Sequence, residues 1–128
     1  MERAIEIFAV VQFVVIGLSH MVQPRVWAEF FIWLRAKGHA GVFANGFLSL
    51  WFGTLVVAFH PVWTGIPAAL TVLGALSIVK GTLAFLVPSL GMRGLNRVSL
   101  ERARAMFIPA GAVMLLLAAA LGYDLARA

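Results

Sequence analysis

Cysteine is absent from the 128 residues. Disulfides, thiolate metal sites and cysteine nucleophiles are therefore excluded. Acid is scarce: five Asp and Glu stand against ten Lys and Arg. Enzymes that bind Mg²⁺ on phosphorylated lipids gather several carboxylates around the metal, and five scattered acids do not supply that. The chain also lacks a His-Glu-x-x-His pair, a phosphate loop, an Asp-rich motif and any nucleophile–base–orienter set. No motif names a cofactor. There is no low-complexity segment and no convincing internal repeat.

What is present is apolar surface. The hydrophobic fraction is 62% and the mean hydropathy +0.99, against about 45–50% apolar residues in an ordinary soluble domain. A chain this short keeps much of its surface exposed after folding. The surplus must face something apolar, and the bilayer fits. The net charge of +5 raises nucleic acid as a partner. The charges fall in two short loops between apolar runs, however, so anionic headgroups and topology account for them, and nucleic acid is not expected.

The sequence predicts an all-α integral membrane bundle forming a single domain. Spanning the hydrocarbon takes about 20 apolar residues. Four segments qualify, at about 4–22, 39–60, 68–87 and 105–123. The first has acids beside its single base and no small-residue cleavage site after it, so it reads as a helix rather than a signal peptide. Pro24, Pro61 and Pro88 close the first three spans, because a proline turns its predecessor away from the helix. Pro109 either bends the fourth span slightly or sits within its first turn. Residues 124–128 read as a frayed tail.

Between the first two spans, residues 24–37 are too short to cross. Trp27, Phe30, Phe31 and Leu34 fall on one helical face, and Arg25, Glu29 and Ala36 on the other. With flanking Arg and Lys, this predicts a short amphipathic helix in the interface, opened by Pro24 or Arg25 and ended by Gly38. A re-entrant element is the alternative. Ser89 to Arg104 reads as a polar loop, with Ser99 as N-cap of the last span and Glu101 in its first turn.

Four spans put the two termini on one side with Arg3 and Arg127. The other side carries Arg25, Arg35, Lys37, Arg93, Arg97, Arg102 and Arg104. Seven against two predicts that both termini face away from the cytoplasm. The excess of Arg over Lys and the abundance of Ala suggest a bacterial inner (plasma) membrane.

Polar residues at membrane depth are the candidate binding residues. Lys80 either snorkels or pairs with an acid or anionic ligand, and Glu29 is the only acid within reach on that side. His20 and His39 lie near the basic end and His60 at the opposite one, and all three read as wet interfacial imidazoles. Glu6 reaches headgroups or pairs with Arg3. His20, Glu29, Asn45 and Lys80 form the candidate binding set. For helix packing, Gly41, Asn45, Ser49 and Gly53 recur every four residues in the second span, matched by Gly74 and Gly81 in the third. Small residues let backbones approach closely in lipid.

Three functions remain open on this reading. The first is a non-enzymatic subunit that packs in a homo- or hetero-oligomer or larger complex, among membrane lipids, and holds a lipid or other hydrophobic ligand. The second is a small oligomeric transporter or channel using Gln12, Asn45, Lys80 and the other polar residues. The third is a small membrane enzyme acting on a lipid headgroup, with His20 or Glu29 as acid/base.

Overall fold

The computed structural model describes all 128 residues. Six helices and no strand make up the chain: α1 (Glu2–Val22), α2 (Pro24–Ala36), α3 (His39–Phe59), α4 (Ala68–Leu86), α5 (Pro88–Asn96) and α6 (Ala103–Arg127). Four of them, α1, α3, α4 and α6, are long and apolar enough to cross a membrane.

The same device makes three of the helix ends. Gln23, His60 and Val87 each precede a proline, and each leaves the helix with φ between −138° and −128°. Each still donates its N–H to the carbonyl four residues back. Pro24 and Pro88 then open the next helix at its first position, where a missing N–H costs nothing. Pro88 therefore starts α5 as well as stopping α4, and part of the expected loop is a nine-residue helix.

Two further boundaries differ from expectation. Ser99 Oγ accepts from the N–H of Arg102 at 3.3 Å, so it caps the turn ahead of α6 rather than the helix. Glu101 lies in that turn, and the first turn of α6 holds no acid. The tail is helical through Arg127, whose guanidinium holds Asp124 at 3.0 Å. Pro109 lies inside α6, beyond its first turn.

The spanning helices associate as two antiparallel pairs, α1 with α6 and α3 with α4. Glycines set the closeness of both. A Cβ on Gly46 would come within 2.6 Å of Ala84 Cβ, and one on Gly81 within 2.7 Å of the Gly46 carbonyl. Gly53 meets the Gly74 carbonyl in the same way one heptad further on, and Gly17 meets Gly111 between α1 and α6. Glycines seven apart on both partners keep one narrow seam in register over two turns.

The stripe expected along α3 divides between two neighbours. At 3.6 residues per turn, Gly41 and Gly53 point about 120° apart. Gly41 accordingly packs on the Leu34 backbone of α2, while Gly53 faces α4. Ser49 is half-buried and donates to the Asn45 carbonyl of its own helix at 3.2 Å. Gly46, outside the every-four pattern, completes the α3–α4 seam.

The two pairs meet at the end that carries both termini, here the far end. Ala9, Phe13, Val56, Leu70, Ala118 and Leu121 form one buried cluster there, drawn from all four spanning helices. At the opposite, basic end the pairs are bridged by the short helices. Ala28 of α2 packs with Val98, Ala103 and Phe107. Leu34 packs with Val42, Ala84 and Leu95. Arg35 Nη1 donates to the carbonyls of Val98 at 2.9 Å and Leu95 at 3.3 Å, tying α2 to the α5–α6 connection.

Candidate functional site

Bridging two helix pairs with short helices leaves a groove. A cavity of about 380 Å³ lies at the basic end, walled by Val42, Asn45 and Gly46 of α3 and by Lys80, Leu83 and Ala84 of α4. Leu90, Gly91, Gly94 and Leu95 of α5 line it too, with Phe31 of α2 and Met106 and Phe107 of α6. Its volume falls in the range of small-molecule sites, about 300–1,000 Å³. Gly91 makes room for Val42, whose Cγ1 lies 2.5 Å from where a Cβ would stand.

Two polar side chains stand out in this apolar wall. Asn45 lies six residues from the start of α3 and Lys80 six from the end of α4, each about 9 Å inside its helix. The Asn45 amide makes no side-chain hydrogen bond, and Lys80 has no ion-pair partner. Neither is sealed off, since no buried side-chain nitrogen or oxygen lacks a partner. Lys80 is exposed. An ammonium and a carboxamide here present donors to whatever enters the groove.

The other two candidate binding residues stand elsewhere. Glu29 is exposed and lies 3.4 Å from Arg25 on the same helix, so it does not reach Lys80. His20 is buried, not wet. Its Nδ1 donates to the Ile16 carbonyl at 2.8 Å, and its ring stacks on Trp27 with centroids 4.1 Å apart. Phe107 covers it at 5.5 Å, and Trp27 Nε1 donates to Ser19 Oγ at 2.9 Å. His20 thus belongs to an aromatic joint between α1, α2 and α6. Asn45 and Lys80 share the groove, and His20 and Glu29 lie outside it.

A second polar group, which the sequence reading dispersed, assembles at the far end. His60 is completely buried rather than wet, and Glu6 is 7% exposed rather than paired with Arg3. His60 Nε2 lies 2.7 Å from Glu6 Oε1, and Nδ1 lies 2.9 Å from Thr71 Oγ1. Thr71 Oγ1 in turn reaches the carbonyls of Val62 at 2.6 Å and His60 at 2.9 Å. Residues of α1, α4 and the end of α3 are thereby joined 54 and 11 positions apart in sequence. Each was visible as a polar residue at a span boundary. The missing signal was pairing: helix ends on one side of a bilayer are neighbours, and an acid, an imidazole and a hydroxyl at one level satisfy one another better than lipid does.

No group of three or more His, Cys, Asp or Glu is arranged to hold a metal ion. Comparison with protein families, with characterised proteins and with solved structures finds no match to this chain.

Proposed function

We propose that this protein is a membrane-embedded binding subunit whose groove holds one anionic membrane lipid. The observation that carries the reading is the pair of unpartnered polar groups, Lys80 and Asn45, in an apolar cavity at the basic end. A lipid acyl chain matches Val42, Leu83, Ala84 and Phe107. A phosphate or carboxylate head accepts from the Lys80 ammonium and the Asn45 amide, a charge-assisted contact stronger than a neutral one. Arg93 and Arg97, exposed on and just after α5, add positive potential at this end of the bundle, worth about 1 kcal/mol each near an anionic surface.

In this reading α2 and α5 lie along the membrane surface. The basic end faces the cytoplasm of a bacterium and the termini face away, following the charge bias of the loops. The exposed apolar flanks of the four spanning helices contact bulk lipid and further subunits.

Native mass spectrometry of the protein released gently from its own membrane tests this. One anionic lipid per chain, retained by the wild type and lost in Lys80→Ala, supports the proposal. A bare chain in both overturns it. A neutral ligand kept by both variants assigns the groove a different occupant.

A further inference from the structure

The hydrogen positions in the far-end cluster follow from counting. Thr71 has a single hydroxyl proton, and its oxygen lies 2.6 Å from one backbone carbonyl and 2.9 Å from another. Two acceptor oxygens at 2.6 Å require a proton between them, so the hydroxyl donates to Val62 and its oxygen is left to accept. His60 Nδ1 therefore carries hydrogen and donates to Thr71. That leaves the contact of 2.7 Å between Nε2 and Glu6 Oε1, which also needs one proton. The proton sits on the imidazole, giving imidazolium and carboxylate, or on the acid, giving imidazole and carboxyl. Either way the pair holds one shared proton and is neutral overall.

We infer that Glu6, His60 and Thr71 form a proton-binding site whose single shared proton latches the α1–α6 pair to the α3–α4 pair at the far end. Glu6 belongs to one helix pair, His60 and Thr71 to the other. When the proton is lost while the Thr71 hydroxyl stays on the Val62 carbonyl and the ring hydrogen on Nδ1, the carboxylate and the bare Nε2 lone pair face each other across 2.7 Å with no donor between them, and the contact becomes repulsive. The proton enters and leaves through Glu6. Its Oε2 makes no hydrogen bond, and no unpartnered oxygen is sealed inside the bundle, so that atom reaches the surface while the imidazole does not.

Few other charges act on the site. The last two turns of α3 and the first two of α4 carry none. On α1, Glu2, Arg3 and the Met1 amino group ahead of them are exposed, and on α6 Asp124 is neutralised by Arg127 beside Tyr123. The inference is independent of what occupies the groove.

Because the chain has no cysteine, spin labels can be placed at will. Ala4→Cys on α1 and Ala69→Cys on α4, both exposed at the far end, report the distance between the pairs. Val22→Cys with Leu86→Cys reports the basic end. In the otherwise native chain the far-end distance lengthens reversibly as pH is raised, while the basic-end distance stays fixed. In Glu6→Gln the amide supplies the missing donor at every pH, and in His60→Gln the amide donates to the carboxylate, so both stay closed. A far-end distance that ignores pH in the native chain overturns the latch. So does pH-dependent widening that persists in either variant.

Discussion

Glu6 and His60, 54 residues apart, are joined by a contact of 2.7 Å inside the apolar bundle. About two turns deeper, Phe13 and Phe52 bring their rings to 6.2 Å of each other across the two helix pairs. A buried polar cluster of this kind is favourable only when every member is satisfied, and here Thr71 completes it.

Thr71→Val tests that completeness. It keeps the shape but removes the acceptor for His60 Nδ1 and the donor to the Val62 carbonyl. Each stranded buried group costs about 1–3 kcal/mol. The expected outcome is a clear loss of stability in denaturant titrations in micelles, with Thr71→Ser close to the wild type. Equal stability of the Val and Thr forms would mean that the hydroxyl holds nothing together.

The glycine seams give a sharper contrast. Gly53→Ala drives a methyl into the Gly74 carbonyl and Ile78 backbone, neither of which can rotate away, so about 1–3 kcal/mol of strain is expected. Gly122 is also helical, but nothing lies within 4 Å of its Cβ position. Gly122→Ala is expected to be neutral or to stabilise by about 0.5–1 kcal/mol, the helix penalty of glycine. Thermal unfolding of the two variants side by side reads the difference.

Much of the architecture was legible because hydropathy and proline act locally. The four spanning helices and α2 follow from run length and from Pro24, Pro61 and Pro88. The helix α5 was obscured by Gly91 and Gly94, which lower helix propensity, although Pro88 stands before it as Pro24 stands before α2. Contacts between distant segments were less legible. Asn45 and Lys80 were visible as polar residues in apolar runs, but their common groove depends on how the pairs diverge. Arg35 looked like one more loop cation, since nothing in its neighbours announces the two carbonyls it meets 60 and 63 residues later.

Arg35→Leu tests that bridge. The guanidinium is half-buried, so its two bonds are expected to contribute at the low end for charged donors, about 1.5 kcal/mol. The loss is local. Amide hydrogen exchange is expected to quicken over residues 88–98, while the α3–α4 seam keeps its protection. Uniform quickening would show that the bridge holds the whole bundle and not only the floor of the groove.

Gly94→Phe separates groove occupancy from stability. Gly94 lines the cavity, and nothing lies within 4 Å of its Cβ position. A phenyl ring there meets open space, and replacing a helical glycine is itself mildly favourable. The variant is therefore expected to unfold no earlier than the wild type while retaining less bound lipid. Lys80→Ala reduces retention through the head and Gly94→Phe through the space for the chain. If lipid retention in native mass spectrometry survives the ring but not the loss of the ammonium, the lipid sits outside the groove and only its head touches Lys80. If the ring alone expels it, the apolar wall supplies the affinity and Lys80 merely orients the head.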